Sequence, residues 1–161
     1  MGAVIDTLVV GGRRLELARA TETDVPVLVA LLADDPLGAH RESSELTSYV
    51  AAFREIDADA NQLLLAVRDE EGEVVGTLQL TLIPGLSRGG AKRLQIEGVR
   101  IGSRARGLGL GSALFAWAHE YGRQRGARIA QLTSDKTRAD AHRFYERLGY
   151  EATHEGFKLA L

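Results

Sequence analysis

Residues 94–101 constrain this chain more than any other segment. Their apolar side chains fall at Leu94 and Ile96 and then at Val99 and Ile101. A strand sends alternate residues to opposite faces, so the phase has slipped by one. An extra residue at Gly98 restores a single apolar face, which is what a β-bulge does, and bulges favour glycine and functional sites. The chain then runs through Arg104-Ala105-Arg106-Gly107-Leu108-Gly109-Leu110-Gly111-Ser112 into an amphipathic helix marked by Leu110, Ala113, Leu114, Trp117, Ala118 and Tyr121, which ends near Gly126. A buried strand at 129–132 follows. The order is strand, glycine turn, helix, strand.

A turn that delivers a strand into a helix leaves unpaired N–H groups at the helix start, where an anion is favoured. Glycines let the backbone approach a phosphate, and Arg104 and Arg106 can add charge-assisted bonds. The same spacing also suits a plain helix entry with solvated arginines. A Walker loop requires Lys-Ser/Thr after its last glycine, whereas Gly111 is followed by Ser112-Ala113. A dinucleotide fingerprint requires Gly or Ala at 112 and an early first strand, and neither is present.

The remaining pattern predicts one domain over 15–161, preceded by an extension or extra strand at 1–14. Leu15, Leu17 and Arg19 alternate as a strand, and Thr23 or Asp24 caps a helix with Pro26 in its first turn that stops before Asp34. A polar loop at 37–44 precedes a second helix carrying Leu46, Tyr49, Val50, Phe53 and Ile56. Strands at 63–67 and 74–82 form a hairpin around the turn at 69–72, and a loop at 84–90 leads to the bulged strand. Thr137 with Asp140 resembles a capping box for a helix whose apolar face is Ala141, Phe144, Tyr145 and Leu148, with Gly149 as its C-terminal cap. Short strands are expected at 150–153 and 157–161.

The 161 residues suffice for one core. With 20 Lys+Arg against 22 Asp+Glu, no global basic field exists to gather nucleic acid. Cysteine is absent, which removes disulfides and thiol chemistry. The first twelve residues lack the leading basic residues of a secretory signal, Ser or Thr does not stand at position six for myristoylation, and no apolar run approaches a membrane span. A cytoplasmic protein is expected. His40, His119, His142 and His154 show no metal-ligand spacing, so no metal is expected.

The segment Gln95-Ile96-Glu97-Gly98-Val99-Arg100-Ile101 followed by Arg104-x-x-Gly107-x-Gly109 resembles the coenzyme A-binding motif of the GNAT-type N-acetyltransferase superfamily. Ala141-His142-Arg143-Phe144-Tyr145-Glu146-Arg147-Leu148-Gly149-Tyr150 resembles its second signature. The resemblance implies an α/β (α+β) GNAT fold, a mixed and mostly antiparallel sheet of about six to seven strands flanked by about four helices. In that fold a bulge in the fourth strand splays it from its neighbour.

The resemblance also implies acetyl-CoA as co-substrate, with its pantetheine arm along Val99, Arg100 and Ile101. The pyrophosphate falls on the turn of Arg104, Arg106, Gly107, Leu108 and Gly109, with Gly111 and Ser112 at the edge. Phe144, in the matched second signature, is expected among the residues that bind the coenzyme. Many relatives carry an asparagine where this chain has Arg138, a residue able to reach a phosphate or to stay exposed. An alkyl amine with pKa near 10.4 is neutral in only on the order of one molecule in a thousand at neutral pH, so a base is needed. Glu97 matches the position used as base or substrate anchor in some relatives, with Asp135 in reserve, and Tyr145 matches the donor to the departing thiolate.

The expected acceptor is the primary amine of a small molecule, bound near 34–53, 84–90 and 154–157, where Asp34, Asp35, Glu42 and Glu45 can attract a cation. Alternatives are a protein lysine or amino terminus, or a non-catalytic acyl-CoA-binding regulatory domain. No nucleic-acid or membrane partner is expected. Homodimers are common in the family, although no residue here determines an interface.

Overall fold

Alternating apolar residues are realised as a six-stranded sheet, described by a computed structural model of all 161 residues. The chain divides into two compact units, Met1–Gln131 and Leu132–Leu161. The first holds the whole sheet: β1 (Val4–Val10), β2 (Arg13–Arg19), β3 (Gln62–Arg68), β4 (Val74–Ile83), β5 (Lys92–Ile101) and β6 (Ala127–Gln131), in that spatial order. Every neighbouring pair is antiparallel except β5 with β6. The sheet is therefore mixed and mostly antiparallel.

The first residues form a full strand. Gly11 and Gly12 take φ of 57° and 75°, the two successive left-handed positions of a type I′ turn, and so fold β1 back along β2. With β1 counted, the bulged strand is the fifth of the chain.

The sheet buries both faces for different reasons. Leu63, Leu65, Leu78, Leu80, Leu94 and Ile96 alternate onto one face, and α5 (Leu110–Gln124) covers it with Leu110, Leu114, Phe115 and Ala118. The approach is close: a β-carbon on Gly122 of α5 would lie 2.9 Å from the Leu94 side chain. On the other face α1 (Val25–Ala33) and α3 (Thr47–Ala58) contribute Val25, Leu28, Val29 and Phe53 to a cluster with Ala20 and Ala66. Truncating a wholly buried Leu such as Leu114 to Ala typically costs about 2–5 kcal/mol.

Helix α1 begins with Asp24 at its N-cap and Pro26 in its first turn, as expected, and a 3-10 turn at Glu22–Asp24, itself opened by Thr21, leads into it. Asp24 accepts from the Thr21 N–H at 2.9 Å and the Thr21 hydroxyl at 3.0 Å. The loop at 37–44 contains one helical turn, α2 (Gly38–Arg41), whereas the short segment before β5, α4 (Ser87–Gly90), turns through left-handed φ of 55°, 68° and 73° at Arg88, Gly89 and Gly90. No helix is long and apolar enough to cross a membrane.

In the second unit α6 (Ala139–Arg147) ends at Gly149, whose φ of 93° reverses the chain while the Tyr150 N–H donates to the Tyr145 carbonyl at 3.0 Å. Two expectations fail in this unit. Thr137 does not cap α6: Arg138 stands at the N-cap with no side-chain bond, and Thr137 instead donates its N–H and hydroxyl to Asp135 at 3.0 Å and 2.7 Å. Residues 150–153 and 157–161 are not strands: Phe157, Leu159 and Leu161 alternate, yet they stand exposed with no ladder partner. Alternation sets a preference for extended chain, and a strand also requires a neighbour.

Candidate functional site

The bulge lies where the sequence places it. Across β4 and β5, Thr77 faces Arg100 and Gln79 faces Glu97, so Leu78 stands opposite both Gly98 and Val99. Gly98 has φ of 58°, the left-handed glycine of a G1 bulge. A side chain there would also meet Leu32 of α1, at 3.7 Å from the β-carbon.

On its other edge β5 pairs with β6 from Lys92 as far as Gln95, opposite Gln131. From Ile96 to Ile101 that edge has no strand partner, because β6 ends at Gln131. Open edges of this kind accept an extended guest by main-chain hydrogen bonding. Arginines now occupy part of this edge: Arg100 Nη1 donates to the Val99 carbonyl at 2.8 Å, and Arg106 Nε donates to the Ile101 carbonyl at 3.1 Å.

The glycine turn follows. No N–H from Arg106 through Ser112 makes a well-formed hydrogen bond within the chain, and no side chain caps α5. Gly107 and Gly109 take φ of 77° and 81°, conformations that carry the chain around a concave run of donors. The β1–β2 hairpin braces this turn. Leu108 lies against Gly11, Arg13 Nη1 donates to the Arg104 carbonyl at 3.1 Å, and Asp6 accepts from Trp117 Nε1 of α5 at 2.9 Å. Trp117 is thus half-buried and anchored to β1, not enclosed in the core as its spacing suggested.

Each arginine of the segment has an acidic partner remote in sequence. Arg100 pairs with Asp35 at 2.9 Å, Arg106 with Asp34 at 2.6 Å, and Arg104 with Glu71 at 2.5 Å and Asp69 at 3.5 Å. Asp34 and Asp35, expected to attract a cationic acceptor, are tied instead to the arginines of β5 and the turn. Glu97 is exposed on β5 immediately before the bulge.

Within the second unit, Arg138 stands at the N-terminus of α6, and Phe144 and Tyr145 lie half-buried on it. The Tyr145 ring contacts Phe144 and Tyr150 edge-on, with centroids at 5.6 Å and 6.2 Å. Burial, with the neighbouring Tyr145 phenol, pushes the Tyr150 hydroxyl up to about 12.

The Acetyltransferase (GNAT) family profile matches residues 27–150, from α1 through α6. The chain belongs to this family. It is an acetyl-CoA-dependent acyltransferase, and GNAT enzymes draw their acyl group from acetyl-CoA. It is 33% identical over 147 residues to an aminoalkylphosphonate N-acetyltransferase of Salmonella typhimurium, covering 91% of each chain. Over 90 residues, 56% of this chain and 59% of the relative, it is 34% identical to a glucosamine 6-phosphate N-acetyltransferase of Trypanosoma brucei brucei. A solved structure from Bacillus halodurans, described as a transcriptional regulator, superposes with a TM-score of 0.85 at 48% identity, covering 91% of this chain and 99% of that one. The GNAT fold expected from the two motifs is the fold observed.

Sequence reasoning passed over the half-buried polar residues of β3 to β6. Their signal was present at Arg93 and Gln95, which share one strand face with Glu97 by their period of two.

Proposed function

We propose that this GNAT enzyme acetylates the primary amine of a small molecule that also carries a phosphonate or phosphate group. The observation that carries the donor half is the bulged β5, its edge unpaired beyond Gln95, leading into a run of unpaired N–H groups at the start of α5. In this reading the pantetheine arm pairs with the open edge at Val99, Arg100 and Ile101. The pyrophosphate rests on the turn from Arg104 and Arg106 through Gly107, Leu108, Gly109, Gly111 and Ser112. Arg138 and Phe144 belong to the same reading, supported by the second signature.

For the chemistry, the amine nitrogen attacks the thioester carbonyl carbon and the carbon–sulfur bond breaks. Glu97 takes the proton lost by the amine, directly or through water, and Tyr145 gives its phenolic proton to the departing thiolate. The acceptor class is supported by the two N-acetyltransferases this chain resembles, whose named substrates are an aminoalkylphosphonate and a sugar amine bearing a phosphate.

The test is thiol release from acetyl-CoA with aminoethylphosphonate, glucosamine 6-phosphate, ethanolamine and glucosamine. The anionic amines should turn over with the higher kcat/KM, and Glu97→Gln and Tyr145→Phe should each lower kcat by about 100-fold or more. A second reading, a non-catalytic acyl-CoA-binding regulatory domain, draws on the 48% identical structure described as a transcriptional regulator. Tight acetyl-CoA binding without thiol release from any amine would establish it.

A further inference from the structure

The sheet face that carries Glu97 is polar across four strands. Gln62 of β3 faces Thr81 of β4, Thr81 faces Gln95 of β5, and Gln95 faces Gln131 of β6, so these four residues form one row. Their side chains are joined: Thr81 Oγ1 donates to Gln62 Oε1 at 2.7 Å, and Gln131 Nε2 donates to Gln95 Oε1 at 2.7 Å. Gln79, opposite Glu97, donates to the same Gln62 oxygen at 3.0 Å. Beyond this row toward α1 and α3 the face turns apolar with Leu64 and Ala66.

Arg93 closes the far end of the polar stretch. It lies on β5 between Ile83 and Ile129, and Nη1 donates to Gln131 Oε1 at 3.3 Å. Unlike Arg100, Arg104 and Arg106, it forms no ion pair with a carboxylate. Its Nε and Nη2, together with the Gln95 amide nitrogen, have no acceptor in the protein. A half-buried guanidinium held by a glutamine ladder, with its remaining donors unused, is a ready partner for a tetrahedral oxyanion.

Glu97 stands four residues farther along the same face, which is ~13 Å of strand at ~3.3 Å per residue. A carboxylate at one end suits an amine, and a guanidinium at the other suits an anion. We infer that Arg93, supported by Gln95 and Gln131, anchors the phosphonate or phosphate of the acceptor and so aligns its amine toward Glu97. This rests on the acceptor class proposed above. Arg93 thereby sets specificity and takes no part in the proton transfers.

The experiment compares kcat/KM for aminoethylphosphonate with that for ethanolamine, in the wild type and in Arg93→Gln and Arg93→Lys. Gln keeps a hydrogen-bonding side chain in the ladder while removing the charge, and Lys keeps the charge without the fork. The wild-type ratio should favour the phosphonate. Arg93→Gln should lower the ratio by about 10- to 100-fold, the usual scale for a lost charge-assisted bond, and Arg93→Lys should fall between. The loss should lie in KM for the phosphonate and not in KM for acetyl-CoA. A wild type without preference for the anionic amine overturns the acceptor class and the anchor together. A wild-type preference that survives Arg93→Gln overturns the anchor alone, and a loss of thermal stability matched by an equal loss on both amines assigns Arg93 to the sheet and not to the substrate.

Discussion

The Arg106 guanidinium is held 2.6 Å from the Asp34 carboxylate, and both side chains are more than half exposed, at 54% and 56%. An ion pair this open to solvent is weak, so the denser charge of a pyrophosphate should displace Asp34. Asp34→Asn should therefore tighten acetyl-CoA binding by up to about fivefold at low salt, with the gain shrinking as salt rises. Arg106→Ala should weaken binding and abolish the effect of the Asp34 change. Calorimetric titration of the single and double variants decides this, and an Asp34→Asn enzyme with unchanged or weaker affinity would remove Arg106 from the phosphate contacts.

Gly109 separates the turn's two roles. Its φ of 81° disfavours any β-carbon by about 1–2 kcal/mol, while space is not limiting, because the nearest atom to a β-carbon placed there is Val10 Cγ1 at 4.0 Å. Gly109→Ala should lower Tm by about 2–8 °C through the backbone alone. If the turn also receives the pyrophosphate, the further rise in Tm given by saturating acetyl-CoA should shrink as well. An undiminished rise on the destabilised variant would leave the turn with only its structural role.

Local chemistry was legible wherever a residue acts on its immediate neighbours. Gly98 betrays the bulge because one extra residue shifts every later side chain on β5 to the other face, and Gly149 ends α6 because it reaches φ of 93° without penalty. Competition between adjacent groups was not legible: Asp24 accepts from the Thr21 N–H and hydroxyl, and Asp135 takes the Thr137 N–H and hydroxyl while Arg138 stands at the start of α6. Pairings across the fold were hidden altogether. Nothing near Arg106 or Arg100 in the chain announces Asp34 or Asp35, and the alternation of Phe157, Leu159 and Leu161 names no partner strand.

Asp24 and Arg68 make the protein's most enclosed ion pair, with Oδ1 and Nη2 2.6 Å apart. Burial opposes the Asp24 charge, yet the Thr21 N–H, the Arg68 guanidinium and the Thr21 hydroxyl together hold its carboxyl below the usual range. A depressed folded-state pKa stabilises the protein above the unfolded value near 3.9, and that contribution is lost as pH falls through the folded value. Asp24→Ala should destabilise by about 3–5 kcal/mol at neutral pH, because it strands a buried guanidinium, and Asp24→Ala with Arg68→Met should recover much of the loss. Urea unfolding at pH 7 and pH 3 tests both, since the difference between wild type and Asp24→Ala should narrow at the lower pH.

His119 on α5 packs edge-on against Phe115, and burial together with the nearby Arg123 charge lowers its pKa below the ordinary 6.5. The folded protein thus favours neutral imidazole. Its stability is complete above about pH 6.5 and declines as pH falls toward the lowered folded value, because the unfolded chain takes up the proton first. His119→Gln should flatten the dependence of Tm on pH between about 7 and 5. An unchanged slope would show that His119 is solvated equally in both states.

The Tyr145 and Tyr150 rings meet at 6.2 Å and an interplanar angle of 69°. Burial is the first cause of the Tyr150 shift to about 12, and the Tyr145 charge is the second. Removing Tyr145 should therefore lower the Tyr150 pKa without restoring it to about 10, and ultraviolet phenolate titration of Tyr145→Phe reads this directly. The same variant tests the catalytic assignment. If Tyr145 supplies the thiolate's proton, its ionisation should produce the alkaline fall in kcat, and Tyr145→Phe should lose that limb along with most of its turnover. Tyr150→Phe should keep the limb, since its phenol remains protonated throughout the working range. A limb retained in Tyr145→Phe would assign the donor to another group.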